Sequence, residues 1–180
     1  NIDNIFELFI RNGYEFNYLQ SEHDEIAGVL PKLSKSKGLK RTFRGTNPQD
    51  ALNKFINDVR FSENSITFIS LSSFYAAMNR YGYNYKSLDV CYGILSREFD
   101  LLLKRINTEQ FDNIITFSDH GYKLDHERGF EPFYKQSNSD RTKIFLHFHK
   151  KGDELLTRND KFCSILDIFP TIVKEAGITI

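Results

Sequence analysis

The sequence lacks several features that would place a protein in a functional class at once. Its two cysteines, Cys91 and Cys163, lack the paired spacing of a zinc knuckle or a redox motif, so we expect two reduced thiols. Basic and acidic residues number 24 each, and a formal net charge of zero creates no long-range field that attracts polyanions. No apolar run approaches the roughly 18 residues of a membrane-spanning helix. We therefore expect neither a nucleic-acid partner nor a transmembrane segment.

What the sequence does contain is the composition of a globular protein. Hydrophobic residues make up 40% of the 180 positions, and 17 phenylalanines and nine tyrosines supply bulky core material in the absence of tryptophan. A chain of this length can bury a substantial core but is short for two comfortable domains. We predict a single domain spanning residues 1–180.

One segment departs from the balanced charge. The stretch "PKLSKSKGLKRTFRG", residues 31–45, carries six basic side chains and no acid. A solvated surface loop is one interpretation, and a patch that binds an anionic substrate or a polynucleotide is the other. The basic residues are Lys32, Lys35, Lys37, Lys40, Arg41 and Arg44.

Apolar residues recur at steps of three and four in four segments, which predicts amphipathic helices. The first helix ends before Gly13, the second begins at Pro48, the third spans residues 85–106, and the last follows Asp167 as its N-cap. The predicted inward faces of the two central helices are Leu52, Phe55, Ile56 and Val59, and Leu88, Tyr92, Leu95, Phe99, Leu102 and Ile106.

Short apolar runs between these helices predict strands. They read "YEFNYLQ", "SITFISL", "NIITFS" and "KIFLHFH", and most are continuously apolar instead of alternating between apolar and polar residues. Such runs are typical of strands that are covered on both faces. We therefore predict an α/β fold with a mostly parallel central sheet and helices on both of its faces.

The stretch "NIITFSDHGYKLDH", residues 113–126, carries the strongest functional signal. Neighbouring side chains within a strand point to opposite faces, but Asp119 and His120 come just after the strand, where Gly121 lets the backbone turn. There a carboxylate and an imidazole can converge on a divalent cation. An ordinary turn is the alternative. In open α/β sheets, ligands collect at the carboxyl ends of the strands.

Four segments, in the same order along the chain, resemble the alkaline phosphatase and sulfatase superfamily. The two stronger ones are "IITFSDHGYKLDHERG" and "SILDIFPTIVKEAGI", and the two weaker ones are "IFELFIRNGYEF" and "DRTKIFLHF". Together they extend from Ile5 to Ile178. The resemblance implies that the sheet is of the alkaline phosphatase type.

The same resemblance implies a metal-dependent hydrolase of sulfate esters. By match to the motif, Asp119 and His120 would bind one divalent ion, with Ca²⁺, Mn²⁺ and Zn²⁺ as the candidates. The catalytic residue His126 would lie near the leaving-group oxygen as a proton donor or a hydrogen-bond partner, and Lys135 and Arg141 would bind the anion. The implied partner is an anionic ester substrate, with glycans and lipids as candidate carriers of the ester.

The chain also departs from the family pattern. The family's nucleophile and its first metal-binding acids precede the Asn-Gly-Tyr helix, and neither Cys91 nor Cys163 begins the Cys-x-Pro-x-Arg motif of sulfatases. We therefore expect a fold that is incomplete at its N-terminus: an inactive C-terminal portion of a longer enzyme, or a chain that has lost activity. Tyr75 and Asn79 occupy the places of an Asp and a His in phosphodiesterase relatives, which favours a single ion.

Three alternatives stay open. The same superfamily contains phosphoester hydrolases and phosphoethanolamine-type transferases, which share this half of the domain. A non-catalytic module that binds an anionic glycan or nucleotide through the basic segment would need none of the metal chemistry. A second candidate pair of ligands is "HFH", where His147 and His149 lie on one face of a strand.

Overall fold

The structure is a computed structural model that describes residues 5–19, 39–43, 48–82, 85–121, 144–153 and 163–179. The chain divides into two compact units. The first consists of Asn1–Gly82 and Lys86–Ile106, and the second of Tyr83–Tyr85 and Asn107–Ile180. The single domain expected for residues 1–180 stays a prediction. Among the described residues, no helix is both long enough and apolar enough to cross a membrane.

The first unit contains a parallel three-stranded sheet. Both neighbours of β1 run parallel to it, and the strand order is β2-β1-β3. The elements in chain order are α1 (Ile5–Arg11), β1 (Glu15–Leu19), β2 (Leu39–Phe43), α2 (Pro48–Asp58), β3 (Ser65–Ile69), α3 (Ser73–Tyr81) and α4 (Tyr85–Arg105).

Side chains of the central strand β1 are buried on both faces of this sheet. Phe16 packs against Phe6 of α1, with ring centroids 4.6 Å apart, and lies in a cluster with Tyr18. Leu19 points to the other face and joins the cluster formed by α2 and α4, which contains Phe55 and Leu102. The prediction of a mixed α/β fold is confirmed, and helices cover both faces of this sheet.

Two elements of the first unit were not predicted. Strand β2 (Leu39–Phe43) lies within the basic segment, at one edge of the sheet, where charged residues are common because they discourage pairing with other chains. Helix α3 (Ser73–Tyr81) begins four residues after the end of β3. Tyr75 and Asn79 are therefore one turn apart on a helix.

The buried face of α4 is shifted by about one residue along the sequence from the predicted face. Cys91, Glu98 and Leu102 are buried, whereas Tyr92 is 57% exposed, so the prediction that Tyr92 faces inward is wrong. The stripe includes the small residue Ser87 and the charged residue Glu98, and neither contributes to an apolar pattern. Counting large apolar residues therefore misplaces the centre of the buried face.

The second unit contains an antiparallel pair of strands, β4 (Asn113–Phe117) and β5 (Leu146–Lys150). Helix α5 (Ile168–Glu175) follows a 3₁₀ turn that a capping box between Ser164 and Asp167 begins. The chain turns after α5 at Gly177, which has a φ of 67°. The Nζ atom of Lys150 lies 3.0 Å from a carboxylate oxygen of Glu175, which joins β5 to α5.

The described strands thus form two small sheets, and they do not form one large sheet of the alkaline phosphatase type. Two of the three described strand pairings are parallel, and the pair β4 and β5 is antiparallel. A continuous apolar run indicates that a strand is covered, but it carries no information about the direction of its neighbour.

Candidate metal site

The hydroxyl of Ser118 takes part in the last hydrogen bond between the ends of β4 and β5, beside the candidate site. After the last strand pair, the backbone N–H of Ser118 donates to the carbonyl of Phe145 at 3.0 Å. In return, the backbone N–H of Phe145 donates to Ser118 Oγ, also at 3.0 Å. The side chain of Ser118 thus accepts a bond that a backbone carbonyl would otherwise accept. The strand geometry ends here, and Asp119 is the first residue beyond it.

Asp119 and His120 converge immediately after this closure. The Oδ2 atom of Asp119 lies 3.5 Å from Nε2 of His120. The backbone N–H of His120 donates to Oδ1 of Asp119 at 3.0 Å, which orients the carboxylate. The side chain of Asp119 is 80% exposed and that of His120 is 27% exposed. The pair is therefore open to solvent, and an ion can approach it.

The imidazole of His120 has a defined orientation. Its Nδ1 atom lies 3.0 Å from the carbonyl oxygen of Gly121, and because a carbonyl can only accept, Nδ1 carries a proton. In a neutral ring this places the lone pair on Nε2, the atom that faces Asp119. Histidines that bind metals in proteins usually donate their other ring N–H to a carbonyl or a carboxylate in this way.

The distance between the two side chains suits a shared cation. Bonds from zinc to histidine nitrogen and carboxylate oxygen are about 2.0–2.2 Å, so two such bonds span up to roughly 4.2 Å. The 3.5 Å between Oδ2 and Nε2 falls within that limit. A proton on Nε2 would instead form an ion pair with the carboxylate, so protons and metal ions compete for the same place.

The donor set favours some ions over others. An imidazole with a carboxylate suits Zn²⁺ and Mn²⁺, whereas Ca²⁺ takes mainly oxygen ligands. Catalytic zinc sites have three protein ligands, and within the described ranges no group of three or more His, Cys, Asp or Glu side chains could hold an ion. Among the described residues, Asp119 and His120 can therefore supply two of the ligands that such a site would need.

The structure describes some of the other predicted site residues and not others. His126, Lys135 and Arg141 lie outside the described residues. His147 and His149 are partly buried on one face of β5, opposite Thr116 and Ile114 of β4 in the strand register. The basic segment lies outside the described residues except for the backbone of β2.

Sequence reasoning missed one polar group, the carboxyl of Glu98. It is 2% exposed, and its Oε1 atom accepts a hydrogen bond from the hydroxyl of Ser73. Burial raises the pKa of Glu98, and the hydrogen bond from Ser73 partly offsets that increase. A signal was available, since Glu98 lies seven residues after Cys91 and so on the same side of α4.

Comparisons with known proteins add no assignment to this geometry. Protein-family models, curated proteins and solved structures were all compared with the chain, and none of them matches it. The likeness to the alkaline phosphatase and sulfatase superfamily therefore remains a resemblance of short segments, and the functional proposal depends on the residues and their geometry.

Proposed function

We propose that the chain belongs to a metal-dependent hydrolase of sulfate esters, with Asp119 and His120 as ligands of one divalent ion. The observation that carries this proposal is the 3.5 Å approach of Asp119 Oδ2 to His120 Nε2 on an exposed turn directly after a strand. The contact between His120 Nδ1 and the carbonyl of Gly121 supports it, because it leaves Nε2 as the atom with the lone pair.

Each side chain has a distinct part in this proposal. A bound divalent ion would supply positive charge that activates a nucleophile and stabilises the ester oxygens. Asp119 contributes the negative charge that attracts the ion, and His120 contributes a neutral nitrogen whose direction is fixed by the backbone. His126 as proton donor and Lys135 and Arg141 as anion-binding residues belong to the proposal through the resemblance alone.

The proposal prefers a sulfatase-like enzyme over a phosphodiesterase because Tyr75 and Asn79 stand where the latter would have an Asp and a His. Without that Asp and that His, the site has fewer ligands, which favours one ion over two. The finer fold, an alkaline-phosphatase-like sheet of mostly parallel strands, belongs to the same proposal. The second candidate is a phosphoester hydrolase or phosphoethanolamine-type transferase with the same Asp119 and His120 site, and the third is a non-catalytic binding module.

Calorimetric titration with Mn²⁺, Zn²⁺ and Ca²⁺ tests the metal site in this chain. We expect weak binding to the wild type and a loss of at least about 10-fold in affinity in Asp119→Asn and His120→Gln. Asp112→Asn is the matched control, since Asp112 is an exposed aspartate at the opposite end of β4, just before its first residue. Equal metal affinity in the wild type, Asp119→Asn and His120→Gln would remove the basis of the proposal.

A kinetic assay separates the enzyme from its alternatives. We expect the 180 residues by themselves to show no saturable hydrolysis of an aryl sulfate or an aryl phosphate, because they lack the family's nucleophile motif. In a longer chain that includes a nucleophile, Asp119→Asn should abolish ester cleavage while the circular dichroism spectrum stays unchanged. Cleavage that survives this substitution would contradict the role of Asp119.

A further inference from the structure

The last hydrogen bonds between β4 and β5 determine where β4 stops. Phe117 pairs with Leu146 in the strand register. The next two residues, Ser118 and Phe145, therefore lie opposite each other, and in a regular antiparallel pair they would exchange two backbone hydrogen bonds. The N–H of Ser118 does donate to the carbonyl of Phe145, but the N–H of Phe145 donates to Ser118 Oγ. A side chain thus makes one bond of the expected backbone pair.

The hydroxyl of Ser118 takes the place of its own carbonyl in the ladder. A serine that bonds to a nearby backbone group offers the chain an alternative to continuing the strand. The two strands stay joined at Phe145, while the peptide group between Ser118 and Asp119 is released from strand geometry. If the Ser118 carbonyl accepted that bond instead, β4 would extend toward Asp119, and successive side chains would point to opposite faces.

The two residues after Ser118 converge, which an extended strand would not allow. One carboxylate oxygen of Asp119 accepts the backbone N–H of His120 at 3.0 Å. The other carboxylate oxygen lies 3.5 Å from Nε2 of His120. An aspartate that bonds to the backbone beside it is typical of a turn. The chain therefore leaves the strand directly after the residue whose hydroxyl completes the ladder.

We propose that Ser118 is a positioning residue for the metal site. Its hydroxyl ends β4 at a fixed place, so that the side chains of Asp119 and His120 converge on one ion. Ser118 acts through the backbone of the turn and not as a ligand. This inference rests on the proposed function, because the ion is the one proposed there. Groups that orient metal ligands in this way typically contribute about 10-fold or more to metal affinity.

Titration with Mn²⁺ tests the proposal, with affinity measured from the paramagnetic broadening of backbone amide signals near the site. We expect Ser118→Ala to bind Mn²⁺ about 10-fold more weakly than the wild type, because the turn is no longer fixed at its first residue. Ser118→Thr keeps a hydroxyl on the same carbon atom and should bind as the wild type does. Asp119→Asn, which alters a ligand itself, is measured beside them.

Asp153→Ala is the matched control for a loss of stability alone. The Oδ2 atom of Asp153 accepts the backbone N–H of Lys150 at 3.0 Å, at the end of β5 away from Phe145. The control therefore removes the same kind of bond, from a strand N–H to a side-chain oxygen, without altering the turn. A purely structural role for Ser118 would give both alanine variants the affinity of the wild type. We expect only Ser118→Ala to lose affinity.

Amide hydrogen exchange without metal provides a second measurement. In Ser118→Ala, exchange should become faster at Phe145 and also at His120, whose N–H is bonded to Asp119 only while the turn keeps its shape. In Asp153→Ala, exchange should become faster at Lys150 and stay unchanged at His120. Unchanged exchange at His120 in Ser118→Ala would contradict the positioning role.

The outcomes separate this inference from the proposed function. Equal Mn²⁺ affinity in the wild type and Ser118→Ala, together with a loss in Asp119→Asn, would overturn the role of Ser118 and leave the metal site intact. Binding by Ser118→Thr as weak as that by Ser118→Ala would also overturn it, since the hydroxyl would then not be the cause. A wild type that binds no Mn²⁺ would refute the proposed function, and the inference with it.

Discussion

Replacing Glu98 with glutamine should stabilise the protein in a way that depends on pH. Burial of this carboxyl raises its pKa above the ordinary value of 4.5, so the folded state holds the proton more tightly than the unfolded state does. Below pH 4.5 the group is mostly protonated in both states and the stabilising contribution is complete. The contribution is lost as the pH rises through the pKa of the folded state, because a charge must then remain buried.

The size of the effect follows from the pKa difference between the two states. Each unit of difference corresponds to about 1.4 kcal/mol in the free energy of unfolding. Because Glu98 is 2% exposed, solvent screens this effect very little. A glutamine side chain has nearly the same shape, and its carbonyl oxygen can still accept the hydrogen bond from Ser73. The variant should therefore match the wild type near pH 4, and its advantage should grow until the pH passes the pKa of Glu98 in the folded state and stay constant above it.

Urea unfolding at several pH values, followed by circular dichroism, measures this difference. Glu109→Gln is the control, because it removes an exposed acid and should shift the free energy of unfolding little at any pH. Parallel stability curves for the wild type and Glu98→Gln would refute the argument. A variant that loses stability relative to the wild type as the pH rises would refute it more strongly.

Other variants and reagents test packing, the closure of the β4 and β5 ladder, and the two thiols. Phe55→Ala should lower the free energy of unfolding by about 3–5 kcal/mol in denaturant titrations, because its side chain is fully buried among α2, α4 and β1. Ser118→Ala should cost about 1 kcal/mol and speed amide exchange at Phe145, whose N–H loses its acceptor. Iodoacetamide should modify the exposed Cys163 in the folded protein. It should modify the buried Cys91, whose pKa is raised by burial, only in denaturant. Equal rates of modification of the two thiols in the folded protein would contradict the assigned burial.

Much of the first unit could be predicted because its buried positions are large and apolar. Leu52 and Phe55 of α2 and Val59 just after it recur at helical spacing, and each of them is buried in the structure. Pro48 begins that helix, as its restricted backbone predicts. The observed helix α4 (Tyr85–Arg105) agrees with its predicted span to within one residue.

What could not be predicted depends on contacts between distant segments. Strand β2 is rich in charge and lies at an edge, so its sequence does not contain the apolar signal of a covered strand. The antiparallel pairing of β4 with β5 depends on which strand becomes the neighbour, and the periodicity within either strand contains no information about that. Glu98 was missed for a related reason, because a charged residue on a helix is normally exposed.

The candidate metal site was predicted from residue chemistry, and metal binding by Asp119 and His120 stays a prediction. Strand β4 ends before Asp119, as expected from the position of the polar residues after the apolar run. The side chains of Asp119 and His120 face each other instead of diverging. The orientation of the imidazole by the carbonyl of Gly121 could not have been predicted, since it depends on the backbone path of the turn.

The contacts that orient the Asp119 and His120 pair have a consequence for protein engineering. The carboxylate is held by the backbone of the next residue, and the imidazole is held by the carbonyl of the residue after that. All of these contacts lie within three consecutive residues, so a graft onto the end of a strand in an unrelated scaffold should reproduce them where the backbone of the turn follows the same path. With two ligands, we expect such a graft to bind ions weakly. The gain in affinity from each ligand added by the scaffold would measure what the rest of a protein must contribute to the site.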